Sequence, residues 1–342
     1  MTTLRDLIRH PIIQAPMAGG PGTPRLAAAV TDAGGFAFLA AGYKSAEAVR
    51  AEFTELRRLT SGPFGVNVFV PQHAPVDEEA LHRYRARLAP EAERLSVELG
   101  DPVWDDDGWD AKIALLLEDP VPVVSFTFGC PDPDVIAALH GRGSLAVITI
   151  TTRDEARLAA AAGADVLCVQ GSEAGAHQAS FDNGPVRDVG LIALLAEVRS
   201  AVALPLIAAG GLTRGADVAA VLAAGAVAAQ CGTAFLRCPE SGTHPTHRAA
   251  LADPRFTATA VTRAFTGRWA RGLINRFLLA HDAAAPAAYP HAHHLTRPIR
   301  RAAADRGDPD ALHLWAGESF RDAVDRPAAD VVERMVREAR TA

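Results

Sequence analysis

PLIAAGGLTRGADVAAVLAAGAVAAQCGTAF, residues 205–235, decides the fold. Pro205–Ala209 is a short apolar run that ends in the pair Gly210 and Gly211. Gly215–Ala224 carries the 3.6-residue apolar spacing of a helix and stops at Gly225, the residue expected just past a helix C-terminus. Val227–Gln230 is a second apolar run, again followed by glycine at Gly232. Both runs are continuous rather than alternating, which is the pattern of strands covered on both faces. Strand, helix and strand together make a βαβ unit. Val218–Phe235 is the most apolar long stretch of the chain, but it is mostly Ala and Gly and holds Gln230, so a buried helix plus strand fits it better than a membrane span.

Outward from this unit the alternation repeats. Six further apolar runs precede it: Ile12–Ala15, Gly35–Ala40, Phe64–Val70, Val121–Phe128, Ser144–Ile150 and Asp165–Gln170. Helical periodicity fills most of the gaps, over Arg25–Ala33, Ser45–Leu59, Pro133–Arg142, Arg153–Ala162 and Leu191–Ala201. Eight runs predict a (β/α)8 TIM barrel of the α/β class. An open doubly wound sheet is the alternative, and such sheets usually have fewer strands. Two segments break the rhythm. Pro71–Pro120 is too long for one crossover and predicts a helical insertion, with a charged helix near Asp77–Leu99 and an acidic stretch, DPVWDDDGWD, read as a solvated turn or helix cap. The chain after Arg237 is strand-poor. It predicts a helical substrate-side segment over 239–342 beside a barrel of 1–238, with a last amphipathic helix near Ala328–Arg340 returning to the barrel.

Composition narrows the function classes. The chain has 342 residues, 49% hydrophobic and 22% charged, which excludes a mainly disordered protein. A net charge of −6 gives no electrostatic footprint for nucleic acid. Cys130, Cys168, Cys231 and Cys238 form no C-x-x-C pair and read as buried small side chains, not as zinc ligands. MTTLRDLIRH lacks an apolar core, so no secretion signal and no membrane partner are expected and the cytoplasm is the expected compartment. His291, His293 and His294 in YPHAHHLTRP do not have zinc spacing, and the Pro-rich context reads as a surface loop; no metal site is expected.

A barrel carries its chemistry at the C-terminal ends of its strands. The seventh and eighth runs end in Gly210-Gly211 and Gly232-Thr233. Glycine lets backbone N–H groups approach a phosphate, and barrels commonly bind phosphate between these two loops. Asn67 and Gln170, at the ends of the third and sixth runs, carry amides that can both donate and accept, which suits the edge of a flavin ring. These positions leave both flavin mononucleotide (FMN) and a phosphorylated substrate open. No G-x-G-x-x-G in strand–helix context supports a dinucleotide. His177 follows the glycine-bearing turn after the sixth run. It reads as a general base or hydrogen-bond donor, or else as a structural loop histidine.

The pieces PIIQAPMAGG, FGVNVF, VVSFTFG, QGSEAGAH, PLIAAGGL, QCGTAFL, TGRWARGLINRF and LHLWAGES, in this order, resemble the nitronate monooxygenases, formerly 2-nitropropane dioxygenases, and most of all their class I branch. The resemblance runs almost end to end. It implies an FMN-containing barrel with a small helical domain over the substrate. It implies that Met17, Asn67, Gln170, Gly175, Gly210, Gly211, Gln230, Cys231, Gly232 and Thr233 line the flavin, and it puts the family's catalytic histidine on His177. The implied reaction takes an anionic nitronate, or a neutral nitroalkane, with O2 to a carbonyl compound and nitrite. The usual EAGGH reads EAGAH here, so Ala176 stands where glycine is common and Gln178 where arginine is common. That departure bears on substrate preference more than on the cofactor. A flavin-dependent enoyl-thioester reductase using NAD(P)H and a non-catalytic flavin-binding barrel are the competing readings. Detoxification and biosynthetic tailoring stay equally open as roles, as does a homodimer.

Overall fold

The computed structural model describes residues 3–73 and 75–342. Met1 and Thr2 of the N-terminal stretch and Ala74 of the inserted segment lie outside the described residues. Among the described residues, eleven strands form in chain order: β1 Ile12–Gln14, β2 Phe36–Ala40, β3 Phe64–Phe69, β4 Val123–Thr127, β5 Leu145–Ile150, β6 Val166–Gln170, β7 Ala176–His177, β8 Leu206–Ala209, β9 Ala228–Cys231, β10 Thr259–Thr262 and β11 Ala270–Leu273. Strands β1 to β6 followed by β8 and β9 close a parallel barrel, with β9 pairing back to β1 through Ile13 and Gln230. All eight apolar runs are these barrel strands. The sequence is near-continuously apolar there because each strand is covered inside and out. Ile13, Phe36, Phe38, Val123, Val147, Val166, Cys168 and Ile207 fill the barrel interior. Their neighbours along the strands, such as Ile12, Ala37, Val66 and Val124, pack outward against the helices.

The helical layer shows why the breaks in rhythm arise. Helix Trp109–Glu118 packs beside Ala46–Leu59 and Pro133–Gly141 and completes the crossover from β3 to β4. The insertion expected over Pro71–Pro120 therefore leaves the barrel layer only over 71–108. The acidic stretch hid the boundary, because Gly108 caps the helix in a left-handed conformation while Asp107 pairs with Lys112 at 2.7 Å. Helix Ala328–Ala339 packs against Gly215–Ala223 and Pro24–Asp32. Val331, Val332 and Met335 join the barrel–helix core there.

A second core sits over the barrel mouth. Leu81, Tyr84 and Leu88 of the inserted helix Glu78–Arg94 pack with Phe265, Phe277, Leu295, Ile299 and Leu314 from beyond residue 237. Two sequence expectations are corrected here. The segment after Arg237 is not helical throughout, because β10 and β11 form an antiparallel sheet with β7. ARGL carries almost no β signal, and TAVT is β-branched but only four residues long; β10 pairs with β11, and β11 pairs with β7. Nor is YPHAHHLTRP a surface loop. His291–Asp305 is a helix with Ala292, Leu295, Ile299 and Ala303 on its buried face, and His293 is buried with them. Among the described residues no helix is long and apolar enough to cross a membrane.

Candidate active site

One side of the mouth is made of backbone. After β8, Gly210 and Gly211 take φ values of +128° and +68°, a region open to glycine and strained for other residues. A Cβ on Gly210 would stand 3.2 Å from the Ala174 amide, and one on Gly211 would stand 3.1 Å from Glu173 Cβ. After β9, a Cβ on Gly232 would meet nothing closer than Ala15 Cβ at 3.6 Å and Met17 Sδ at 3.9 Å. Among the described residues, the backbone N–H groups of Gly210, Gly211, Gly232 and Thr233 donate to no protein acceptor. Four free amides at the ends of two adjacent strands fit a phosphate, whose oxygens would complete them. The Thr233 hydroxyl accepts from the Gly317 amide at 3.0 Å and keeps its own proton to donate.

The surrounding loops are held by side chains that spare the mouth. Glu173 takes the Leu191 amide on both carboxylate oxygens, at 3.0 Å each, and caps helix Leu191–Ala201. Its backbone carbonyl accepts from the Glu318 amide at 3.1 Å. Gly175 lies against Ala316 and Gly317, where a Cβ would come within 2.6 Å of the Ala316 carbonyl carbon. Arg271 is committed to the Ser172 carbonyl at 2.9 Å, Thr259 Oγ1 at 3.1 Å and Glu318 at 3.1 Å.

At ring level the amides lean on the scaffold. Asn67 donates from Nδ2 to Ser125 Oγ and Thr127 Oγ1, both at 2.9 Å, across β3 and β4. Gln170 donates to the His177 carbonyl at 3.1 Å and accepts the Ala179 amide at 2.8 Å, so it clamps β7 onto the end of β6. Gln230 reaches Cys168 Sγ at 3.3 Å. Met17 packs against both cores, next to Gly232. Burial pushes the Cys231 thiol up to about 12, so it acts as a small apolar group and not as a nucleophile.

The other side of the mouth is made of side chains. His177 is half-buried on β7, opposite Ala270 of β11. Phe128, Trp315 and Tyr289 surround its ring, with centroids 5.7, 5.7 and 5.8 Å away. Nε2 meets Thr266 Oγ1 at 2.8 Å. Two buried guanidiniums stand behind these rings. Arg268, 1% exposed, lies over Phe128 with Cζ 4.1 Å from the ring centroid. Its N–H groups go to Gln72 Oε1 at 2.6 Å and to the Gln178 and Ser180 carbonyls. Arg300, 6% exposed, bonds Thr296 Oγ1 at 3.1 Å and the His293 carbonyl at 2.8 Å. Neither forms a salt bridge to a carboxylate among the described residues; Asp182 and Glu155 act on Arg268 from a longer distance, and no carboxylate is among the groups acting on Arg300. Burial, then Arg268 and Arg300, push the His177 imidazole down to about 3. It is neutral at physiological pH. A cavity lined by Tyr43, Phe128, Tyr289 and His293, and on another side by the carboxylates of Asp105, Asp106 and Asp107, adjoins this chamber.

The profile of the nitronate monooxygenase family matches residues 1–338. The chain belongs to the nitronate monooxygenase family. A relative from Staphylococcus aureus (strain Newman) named "Probable nitronate monooxygenase" is 37% identical over 337 residues, 96% of this chain and 94% of that one. The solved structure of nitroalkane oxidase from Streptomyces ansochromogenes has a TM-score of 0.97 at 54% identity, over 99% of this chain and 98% of that one. The enoyl reductase domain of MlnA from Bacillus amyloliquefaciens has a TM-score of 0.67 at 11% identity, over 98% and 95% of the two chains, a likeness of fold alone. The nitronate monooxygenase family is one of flavin-dependent oxidoreductases, and this chain is an enzyme of that family.

For this nitronate monooxygenase family member, the residues singled out in the sequence gather around one mouth except Cys231, whose side chain packs in the core between barrel and helices. Asn67 and Gln170 spend much of their hydrogen-bonding capacity on the scaffold, and Gly175 is needed for close packing with 316–317. Ala176 sits at φ +63°, a conformation that glycine adopts without strain. Tyr43, Phe128, Thr266, Arg268, Arg300 and Trp315 were not singled out from the sequence, and His293 was read there as a surface-loop residue. Their only signal was position inside the quoted pieces VVSFTFG, TGRWARGLINRF and LHLWAGES, which hold Phe128, Thr266, Arg268 and Trp315. Tyr289 does reach the His177 ring, whereas Arg297 is exposed on the outer face of its helix.

Proposed function

We propose that this enzyme is an FMN-dependent nitronate monooxygenase that converts nitronates, and neutral nitroalkanes after loss of the α-proton, with O2 to a carbonyl compound and nitrite. The observation that carries the reading is the pairing of a neutral imidazole with two buried guanidiniums that have no carboxylate partner, beside a cradle of free amides. Gly210, Gly211, Gly232 and Thr233 would hold the FMN phosphate, with Met17, Asn67, Gln170, Gly175, Gln230 and Cys231 around the ring. Bound FMN would supply the acceptor for the electrons that leave the substrate.

The chain's own residues do the rest. Two buried guanidiniums with no directly paired carboxylate favour a bound anion, because an anion improves the charge balance around them. A nitronate carries that charge; a neutral nitroalkane acquires it only when its α-proton leaves. His177 accepts that proton, and the resulting imidazolium is offset by the nitronate formed next to it. Phe128, Tyr289 and Trp315 keep water away from the developing ion pair.

The test is an absorbance spectrum of the purified enzyme, followed by anaerobic addition of a nitronate and then O2. A flavin spectrum that bleaches on addition, with nitrite formed, is expected. Bleaching by NADH with no nitrite from nitronates would instead support an enoyl-thioester reductase. A bound flavin with no turnover would support a non-catalytic barrel.

A further inference from the structure

Thr266 lies in the turn that leads into β11 and is fully buried. Its hydroxyl has three neighbours. The Arg268 carbonyl lies 3.2 Å away, the Arg268 amide 3.4 Å away and His177 Nε2 2.8 Å away. A threonine hydroxyl has one proton and two lone pairs. Among the described residues, that hydroxyl is the only donor to the Arg268 carbonyl. Turning the proton toward His177 would orphan a buried carbonyl, at a cost that disfavours the arrangement. The proton therefore goes to the carbonyl, one lone pair receives the Arg268 amide, and the other needs a donor.

We propose that Thr266 is a positioning residue that holds His177 in the Nε2–H tautomer, leaving the Nδ1 lone pair free for the substrate. Nδ1 has no hydrogen-bond partner among the described residues. Three aromatic rings pack around the imidazole, and Gln170 fixes the His177 carbonyl, so the ring has little freedom to flip. In the deprotonation of a nitroalkane, the C–H pair stays with the substrate as the nitronate charge. The proton moves to Nδ1 of His177, whose Nε2–H stays on Thr266. That part rests on the proposed nitroalkane chemistry; the tautomer itself does not.

Two measurements separate the two claims. The first is 15N NMR of histidine-labelled holoenzyme, with the His177 signals assigned by their loss in His177→Asn. The wild type is expected to show a protonated Nε2 and a bare Nδ1. Thr266→Val should mix the tautomers, and Thr266→Ser should restore the wild-type pattern. A bare Nε2 in the wild type, or an unchanged pattern in Thr266→Val, overturns the proposal whatever the enzyme's substrate. The second is the rate on neutral nitroalkanes and on pre-ionised nitronates. Thr266→Val should lower kcat on neutral nitroalkanes by about tenfold or more and spare nitronates, with Thr266→Ser close to wild type. Equal losses on both substrates overturn the positioning role. If Thr266→Val does not fold, the wild-type and Thr266→Ser spectra still decide the tautomer.

Discussion

At the ends of β8 and β9 the barrel mouth presents backbone: four amide groups on glycines and a threonine, all within two short loops. Across the mouth, at the end of β6, it presents side chains: His177, Phe128, Thr266, Arg268, Tyr289, Arg300 and Trp315, drawn from widely separated parts of the chain. Under the proposed function the first region would bind by conformation, through φ values and the absence of Cβ atoms, and the second would act by charge and shape. Its properties depend on how far the interior can be kept dry around two cations. A substitution in the first should therefore affect retention of the cofactor, and one in the second should affect the choice and ionisation of substrate.

Gly211→Asp is the strongest way to break this contrast. It puts a side chain at φ +68°, crowds Glu173 Cβ and adds a negative charge where phosphate is expected. Flavin should be lost on purification, read as the ratio of flavin to protein absorbance. A flavin-replete variant would remove the cradle from the site.

His177→Asn should leave flavin content unchanged and lower turnover on neutral nitroalkanes by roughly 10²–10⁴-fold, with a much smaller loss on nitronates. Because the imidazole pKa is pushed down to about 3, its protonated form appears only in strong acid. The wild-type kcat/KM for a nitronate should thus be level between about pH 6 and 8, with no limb near the usual histidine value. A limb there, or equal losses in the variant, would contradict a neutral base.

Arg300→Gln sharpens the electrostatic half. Removing one of two unpaired cations should raise KM for nitronates by about tenfold, with a smaller change in kcat, and should move the His177 pKa upward. Steady-state kinetics and histidine titration measure the two effects. A KM independent of this charge would mean that the substrate anion is held elsewhere.

The smallest effect is expected at the joint between the regions. Ala176→Gly relieves the φ +63° conformation and should stabilise the fold by about 1 kcal/mol, read from the urea midpoint at unchanged flavin content.

The contrast also explains what could be read in the chain alone. The eight barrel strands, the helices between them and the glycine loops were legible because their signals are local. A strand covered on both faces must be apolar along its length, and a backbone close to a phosphate must lack Cβ. Helix Trp109–Glu118 was hidden by the acidic stretch before it, and the helix after Tyr289 by its prolines and histidines. Strands β10 and β11 were not legible, because each is only four residues long and is fixed by pairing, β10 with β11 and β11 with β7.

The barrel, the glycine loops after β8 and β9, and the position of His177 near a strand end could all be read along the chain. Each follows from spacing and residue type within a few turns of chain. Only the tertiary structure decided that His177 is neutral, that Thr266 touches its Nε2, and that Arg268 and Arg300 stand behind its aromatic walls. The reason is physical. A pKa and a tautomer belong to an environment, and this one is assembled from residues about 50 to 140 positions from His177 in the chain, where no local pattern can record the contact.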